Sequence, residues 1–264
     1  FPTFYQAMDA AQHLVTLDPV AVELVDDTMI ELARSIPIFQ PTVEEAVCGN
    51  PAALLLVEFA EEDMAENERR LRQLHDLMGD LGFGWDKGTA RRGGVVDAIE
   101  PGVQGRIAEW RKSGLNIMMS EKSEAKPVSF LEDCAVELKD LAEYTDKLTA
   151  IFDRNGVKGT WYAHASVGCL HVRPVLNMKQ VGGAETMRAI AEEAFELVRS
   201  FGGSHSGEHG DGIVRSEFND RMFGPVLPDL FRQVKAMFDP QGMFNPGKIT
   251  DAPKMDDREL FRFA

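Results

Sequence analysis

Apolar stretches of strand length alternate with amphipathic stretches of helix length, and this alternation restricts the fold more than any other sequence feature. Residues 52–59 form a dense apolar run, residues 64–81 carry apolar side chains at three- and four-residue spacing, and residues 184–201 form the clearest amphipathic helix. Such helices and strands pack in layers around a core. The sequence therefore predicts an α+β fold: a mostly antiparallel sheet with helices packed on one side and ferredoxin-like elements.

Further segments follow from the same periodicities. The predicted helices are residues 20–35, 103–115, 138–152 and 222–238; the predicted strands are residues 127–136, 159–164 and 170–176. Residues 85–101 are predicted to form strand and loop. The last two strands are separated by a short turn, so we expect them to form a hairpin.

The charge balance excludes one class of function. The 264 residues include 43 acidic and 28 basic side chains, which gives a formal net charge of −15 at pH 7. A chain without a basic stripe cannot displace counterions from phosphates, so no nucleic-acid partner is expected. Because no apolar run reaches roughly 18 residues, no transmembrane segment is expected either.

The cysteines and the N-terminus indicate where the protein resides. Cys48, Cys134 and Cys169 are far apart, which argues against a disulfide scaffold and fits a reducing compartment. The sequence begins at Phe1, with neither an initiator methionine nor the basic segment of a secretory signal. We therefore expect a cytoplasmic protein of which this sequence is a part.

Two histidines flank the turn of the predicted hairpin. A turn centred on residues 167–168 would place His164 directly opposite His171. Directly opposed Cβ atoms are about 4.5–5.5 Å apart, so both imidazoles could reach one metal ion at about 2.0–2.1 Å. A three-residue loop would misalign them. The alternative interpretation is a half-buried histidine pair held by hydrogen bonds.

A second motif places an acid and a base between glycines. In Gly207-Glu208-His209-Gly210 the glycines allow the backbone to approach a ligand closely. Glu208 could be a third ligand beside two histidines, as in catalytic His/His/Glu zinc sites. Because imidazole exchanges protons near neutral pH, His209 could act as a proton acceptor. A solvated glycine-rich turn is the alternative.

Two arginines and a turn-rich tail complete the candidate features. Arg111 could hold a substrate carboxylate through paired hydrogen bonds; the alternative is a surface arginine paired with an acid. Arg173 follows His171 by two residues and is expected on the same strand face. Residues 239–248 are rich in turn-forming residues, which by themselves indicate only a tight loop.

Three motifs, taken in order, make the sequence recognisable. They are His164…Gly168…His171, Gly207-Glu208-His209-Gly210 and Asp239-Pro240…Asn245-Pro246-Gly247-Lys248. Together they resemble the C-terminal domain of FAD-linked oxidases, in the D-lactate, glycolate and D-2-hydroxyglutarate dehydrogenase branch of the vanillyl-alcohol oxidase-like flavoproteins. The resemblance extends from about residue 18 to residue 250, and residues 19–26 resemble the segment by which the family enters this domain.

The resemblance implies a domain organisation. In the family a separate N-terminal domain binds most of the FAD, and the C-terminal domain covers the flavin ring and supplies the substrate pocket. Residues 1–264 are expected to be this C-terminal cap domain. Residues 1–18 would be the tail of the linker from the FAD-binding domain, and residues 250–264 a C-terminal extension.

The resemblance also implies roles for individual residues. His164, His171 and Glu208 match the family's metal triad, and His209 matches its catalytic base. Arg111 matches the arginine that grips the substrate carboxylate. The implied contacts to the flavin cofactor are Glu208, His209 and Asn245.

The implied reaction is hydride transfer from Cα of a D-2-hydroxy acid to the flavin, assisted by a divalent metal. Zinc suits the donor set, with manganese or iron as alternatives. The expected partners are a small 2-hydroxy acid and the FAD-binding domain of the same polypeptide, with a homodimer left open. The protein would be cytoplasmic, or peripheral to the inner membrane through an electron acceptor.

Two departures from the common pattern point to a subgroup. Many relatives carry Gly-Asp-Gly-Asn where this chain has Ser166-Val167-Gly168-Cys169, and Asp211 stands where an aliphatic residue is common. Both features resemble the longer subgroup with a downstream iron–sulfur domain, whose cluster would lie outside this chain. Two other functions stay open: a metal- or effector-binding α+β module, and a purely structural cap without a redox role.

Overall fold

An antiparallel sheet forms the centre of the fold, as seen in a computed structural model that describes residues 1–85, 91–120 and 122–262. The strands are β1 (Ala21–Asp26), β2 (Ala53–Glu58), β3 (Phe83–Gly84), β4 (Arg91–Arg92), β5 (Lys126–Pro127), β6 (Cys134–Ala135), β7 (Gly159–His164) and β8 (Cys169–Leu176). The main sheet has the order β2-β1-β7-β8-β5, with β6 also paired to β8, and its pairings are antiparallel. β3 and β4 form a separate parallel pair.

Helices lie against both faces of this sheet. The helices of the described residues are α1 (Phe4–Leu14), α2 (Asp27–Arg34), α3 (Gln40–Ala46), α4 (Met64–Asp80), α5 (Pro101–Lys112), α6 (Gly114–Met119), α7 (Leu141–Arg154), α8 (Gly183–Ser200), α9 (Asn219–Phe223) and α10 (Val226–Phe238). Apolar side chains of α1, α4, α7 and α8 form the larger core with one sheet face. Those of α2, α3, α5 and α6 form a smaller core against the other face.

The predicted α+β class is confirmed. Strand alternation divides the two cores, because Val22 and Leu24 of β1 belong to the larger core and Val25 to the smaller one. The smaller core is an addition to the one-sided helix packing expected from the sequence. It places α2, α5 and α6 on the sheet face that carries His164 and His171.

Residues 1–18 contribute a core helix. Thr3 caps α1, because its hydroxyl accepts a hydrogen bond from the amide of Gln6 at 3.2 Å. Five α1 residues are buried in the larger core: Ala7, Met8, Ala10, Ala11 and Leu14. The segment expected to be the tail of a linker is thus an integral part of the packing.

The predicted helix over residues 20–35 is wrong in its first half, which forms β1. Val22, Val25 and Met29 repeat at a spacing that imitates a helical face, whereas residues 21–26 pair with β2 and β7. Non-local pairing overrides the local pattern here. The strand places Glu23 directly opposite His164 of β7.

Asp26 is the last residue of β1 and the N-cap of α2. Its carboxylate accepts hydrogen bonds from the amide of Met29 at 2.8 Å, which caps the helix, and from the amide of Trp161 in β7 at 2.8 Å. A single buried side chain therefore ties β1, α2 and β7 together. The helix part of the prediction, residues 27–34, is confirmed.

Two further predicted elements are interrupted. The strand predicted over residues 127–136 is reduced to β5 and β6, and Asp133 just before β6 has a positive φ of 92°. The helix predicted over residues 222–238 is divided into α9 and α10 around Gly224, whose φ is 71°. Of the segment 85–101, residues 86–90 lie outside the described residues.

The other predicted elements are confirmed within a few residues. They are the helices over residues 64–81, 103–115, 138–152 and 184–201, and the strands over residues 52–59, 159–164 and 170–176. Across the parts of the chain that the structure describes, every helix is too short or too polar to traverse a bilayer.

Candidate metal and catalytic site

The β7–β8 hairpin carries His164 and His171. Residues 165–168 connect the strands, so that His164 pairs with Cys169 and His171 pairs with Tyr162. The predicted direct opposition of the two histidines is therefore wrong by two positions. Because strand side chains alternate with period two, this shift keeps both on one face. The imidazoles are diagonal neighbours, with ring centroids 5.0 Å apart.

Gly168 closes this hairpin. Its φ is 68°, a left-handed conformation that favours glycine, and its carbonyl accepts a hydrogen bond from the amide of Val136 at 3.2 Å. A Cβ atom at this position would lie 2.1 Å from the carbonyl oxygen of Val136. The close approach fixes the segment after β6 against the turn between the two histidines.

The carboxylate of Glu208 completes the cluster. Its Oε1 lies 3.0 Å from Nε2 of His171 and 3.4 Å from Nε2 of His164. The same oxygen lies 3.3 Å from Nε2 of His209. Ligand atoms bound tetrahedrally at about 2.0–2.1 Å from one ion are about 3.3 Å from each other. The separations from Glu208 therefore have the size expected for ligands of one cation. Among the described residues, the set whose ligand atoms all lie within 4.8 Å of one another is Asp133, His171, Glu208 and His209, and His164 of the predicted triad is not in it.

The cluster is buried on one side and accessible on the other. His171 is 2% exposed, whereas the side chains of His164, Glu208 and His209 are between 32% and 45% exposed. Burial lowers the pKa of His171, with the nearby His164 acting in the same direction. A neutral imidazole has a free lone pair, so the buried histidine is suited to metal ligation.

Glu23 of β1 orients His164. The two residues pair directly across the β1–β7 ladder, and both carboxylate oxygens of Glu23 lie 2.9 Å from Nδ1 of His164. A carboxylate on Nδ1 fixes the proton there and leaves Nε2 free to bind a metal. Glu23 was missed as a site residue because a helix was predicted there. The alternation of Val22, Glu23 and Leu24 was the available signal.

Arg111, at the end of α5, lies at the edge of the cluster. Its Nη2 is 2.7 Å from Oε2 of Glu23 and 3.5 Å from Nδ1 of His164, and its side chain is 43% exposed. The arginine is thus paired with an acid, as in the alternative interpretation, but with the acid that orients His164. Its role in binding a substrate carboxylate stays a prediction.

The Glu23→Gln variant is expected to weaken zinc binding by about 10- to 100-fold, the usual effect of removing a carboxylate behind a metal-binding histidine. Glutamine removes the charge and one of the two oxygens that face Nδ1 of His164. Metal affinity can be measured by competition with a chelator. The control is Glu45→Gln. Glu45 also pairs with an arginine, Arg106, and the two side chains are 48% and 49% exposed. Equal zinc affinity in the Glu23 and Glu45 variants would contradict the role of Glu23 in orienting His164.

Glu132 stands behind His209 in a similar way. Its Oε1 lies 3.6 Å from Nδ1 of His209, and its Oε2 lies 2.5 Å from Nε of Arg173. Burial raises the pKa of Glu132, but a hydrogen bond from Ser129 and the charge of Arg173 outweigh it and lower the pKa overall. Glu132 is therefore ionised near neutral pH. Arg173 follows His171 by two positions in β8, on the same face, as predicted.

Asp133 and Cys169 lie close to the cluster but are poor metal ligands. Asp133, His171, Glu208 and His209 offer ligand atoms within 4.8 Å of one another. The oxygens of Asp133, however, accept hydrogen bonds from the amides of Glu208 and His209. Burial, reinforced by the charge of Asp133, raises the pKa of Cys169 to about 12, so its thiol stays protonated.

The turn-rich tail is held by its own hydrogen bonds. Asp239 accepts hydrogen bonds from the amides of Met243 and Phe244, both at 2.9 Å. Asn245 is exposed, and its side-chain oxygen accepts a hydrogen bond from Lys248 at 3.4 Å. Within the described part of the chain, no hydrogen bond or ion pair joins Asn245 to the histidines, so its predicted role toward the cofactor stays a prediction.

Comparisons with known proteins identify the family of the chain. Residues 1–249 match the family described as FAD linked oxidases, C-terminal domain. The D-2-hydroxyglutarate dehydrogenase of Pantoea ananatis (strain AJ13355) is 33% identical over 261 residues, which cover 94% of this chain and 24% of the relative. That of Escherichia coli (strain K12) is 33% identical over 264 residues, covering 97% and 25%. This chain therefore spans about a quarter of the length of these relatives.

More distant relatives extend the comparison. The D-lactate dehydrogenase of Archaeoglobus fulgidus is 26% identical over 250 residues, 94% of this chain and 50% of the relative. Among solved structures, 4-ethylphenol oxidase from Gulosibacter chungangensis is similar with a TM-score of 0.60 at 12% identity, covering 93% of this chain and 52% of that one. At this identity the similarity shows a shared fold.

Proposed function

Because the chain belongs to the family of FAD linked oxidase C-terminal domains, we propose that it is the substrate-binding and catalytic cap domain of a flavin-dependent D-2-hydroxy acid dehydrogenase. The convergence of His164, His171 and His209 on one oxygen of Glu208 carries this proposal. The names of the relatives support the substrate class, since two are D-2-hydroxyglutarate dehydrogenases and one is a D-lactate dehydrogenase. Glycolate belongs to the same class.

Two groups from outside the chain are required. FAD, held mainly by a separate domain, would supply the oxidising power for removal of a hydride from Cα of the substrate. A divalent cation supplies Lewis-acid polarisation of the substrate's hydroxyl and carboxylate oxygens. The donor set of two imidazoles and one carboxylate, with one imidazole backed by Glu23, fits zinc, and manganese or iron are alternatives.

The chain's own residues bind, orient and deprotonate the substrate. Nε2 of His164, Nε2 of His171 and the carboxylate of Glu208 would hold the cation and leave a coordination position for the 2-hydroxy acid. Nε2 of His209 would accept the hydroxyl proton as the C–H bond breaks, so that the product is the 2-oxo acid. Arg111 would neutralise the substrate carboxylate at the edge of the cluster.

A metal analysis of the full-length protein tests the centre of this proposal. The wild type is expected to retain about one equivalent of a divalent metal per chain, and the double variant His164→Ala/His171→Ala to lose it, because two of the three proposed ligands are removed. The control is His75→Ala, since His75 is exposed and pairs with Asp97. Metal retained by the double variant, or absent from the wild type, would contradict the assignment.

A substrate screen distinguishes the dehydrogenase from the two alternative functions. Bleaching of the flavin in the full-length protein by D-2-hydroxyglutarate, D-lactate or glycolate is the expected result. Bound metal without bleaching by any 2-hydroxy acid would favour a metal-binding module. The absence of both bleaching and bound metal would favour a purely structural cap without a redox role.

A further inference from the structure

Asp133 joins two parts of the chain that meet at the histidine cluster. Its amide donates a hydrogen bond to the carbonyl of Leu170, the residue before His171, at 2.6 Å. Its carbonyl accepts a hydrogen bond from the amide of Gly207, the residue before Glu208, at 2.7 Å. The backbone of this one residue therefore connects β8 to the segment that carries Glu208.

The side chain of Asp133 binds the same segment three more times. Its Oδ1 accepts a hydrogen bond from the amide of Glu208 at 2.7 Å. Its Oδ2 accepts hydrogen bonds from the amide of His209 and the hydroxyl of Ser206, both at 2.9 Å. Four consecutive residues, 206–209, are thus held by the carboxylate and the backbone carbonyl of Asp133.

This carboxylate is buried and charged. Asp133 is 0% exposed, and Nη2 of Arg215 lies 3.6 Å from its Oδ2. Burial raises its pKa, but the hydrogen bonds from Glu208, His209 and Ser206 outweigh burial and lower the pKa overall. The φ of 92° is uncommon outside glycine and is tolerated best by aspartate and asparagine. Strain of this kind persists where the surrounding contacts require it.

The segment that Asp133 holds has little intrinsic rigidity. Gly207 and Gly210 flank Glu208 and His209, and Gly210 and Gly212 have positive φ values of 78° and 57°. Glycine-rich backbone has more conformational freedom to lose than other sequences, so a free segment of this kind would seldom hold two side chains in one geometry.

We propose that Asp133 is the positioning residue of the metal site: it holds Glu208 and His209 against β8, so that Glu208 reaches the cation held by His164 and His171. The proposal rests on the metal-binding function proposed above. Asp133 acts through Glu208 and His209 and makes no bond to the cation itself.

The test variant is Asp133→Asn, which keeps the side-chain shape and the tolerance for positive φ. It replaces one accepting oxygen by an NH2 group that faces an amide or hydroxyl donor, and it removes the charge. The dissociation constants for zinc and cobalt in the full-length protein are expected to rise about 10- to 100-fold. The visible absorption of the cobalt-loaded protein is expected to change, because the ligand geometry changes.

The matched control is Asp239→Asn. Asp239 also accepts hydrogen bonds from two backbone amides, those of Met243 and Phe244, and pairs with a basic side chain, Lys235. Asp239 thus makes the same kinds of contact as Asp133, but it makes them in the tail and not with Glu208 or His209. Its replacement should therefore leave the affinity for both metals unchanged. If the loss of any buried aspartate lowered metal affinity, both variants would bind zinc and cobalt equally weakly. That result would overturn the positioning role.

Hydrogen exchange separates this proposal from the metal-binding function. Exchange in a peptide covering residues 205–212 is expected to accelerate more than tenfold in Asp133→Asn, without added metal, and to stay unchanged in Asp239→Asn. Unchanged zinc affinity in Asp133→Asn overturns the positioning role while the proposed function stands. A wild type that binds neither zinc nor cobalt contradicts the proposed function, and unchanged exchange in Asp133→Asn then overturns the positioning role as well.

A second variant covers the case in which Asp133→Asn does not fold. Ser206→Ala removes one donor from the same carboxylate and leaves the buried charge in place. A smaller loss of zinc affinity in the same direction, with faster exchange in residues 205–212, supports the proposal. Wild-type affinity and exchange in Ser206→Ala overturn it.

Discussion

The His209→Asn variant of the full-length protein is expected to lose turnover by about 10²- to 10⁴-fold, the usual contribution of a positioned general base, while its metal content persists. Asparagine cannot accept the substrate's hydroxyl proton. The proposed ligands His164, His171 and Glu208 are untouched by the change. Steady-state turnover with the substrate found in the screen, together with metal analysis, provides the measurement.

Measuring both turnover and metal content distinguishes a general base from a metal ligand at His209. Nε2 of His209 lies 3.3 Å from Oε1 of Glu208, close enough for His209 to be a third imidazole ligand instead. Loss of metal from His209→Asn would assign it as a ligand, and near-normal turnover would remove it from the mechanism. His75→Asn serves as the control, because it makes the same substitution at an exposed histidine.

The Gly168→Ala variant is expected to be less stable than the wild type by about 3 kcal/mol or more, since alanine adds both backbone strain and a clash. The added Cβ would meet the carbonyl oxygen of Val136 at 2.1 Å, and only a backbone shift can relieve this contact. At roughly 2–4 °C per kcal/mol, Tm should fall by about 10 °C. Zinc affinity should fall too, because the shift separates His164 from His171.

Gly156 provides a control that isolates the clash. Its φ of 66° nearly equals the 68° of Gly168, but a Cβ atom at Gly156 would meet nothing within 4 Å. Gly156→Ala should therefore lose only the cost of the left-handed backbone, about 1–2 kcal/mol. Equal losses of unfolding free energy in the two variants would show that the backbone at Val136 moves without cost, and would contradict the predicted clash.

The sequence predicted the elements whose signal is local. Helices such as α4 and α8 bury one regular face, so periodicity was sufficient for them, and the strands β7 and β8 flank a short turn. It failed at β1, because Val22, Val25 and Met29 fit a helical period although Val22 and Val25 lie on opposite faces of the strand that forms. Only the pairing of β1 with β2 and β7, which links residues far apart in the chain, decides between helix and strand here.

The candidate site was predicted in its inner residues and missed in its outer ones. His164, His171, Glu208 and His209 belong to motifs that spacing and family resemblance both single out. Glu23, Glu132 and Asp133 belong to no such motif, and their roles arise from three-dimensional contacts with those histidines and with the backbone of Glu208. Apart from the alternation of Val22, Glu23 and Leu24, the sequence around these residues carries no short-range signal of such a role.

The pairing of β1 with β7 also determines when Glu23 can reach His164 during folding. Glu23 and His164 are 141 positions apart, so a large chain loop must close before the carboxylate reaches the imidazole. Contacts of such long range form slowly compared with helices. The proposed metal affinity would therefore require the completed tertiary structure, and cation uptake during refolding would mark the arrival of the native state.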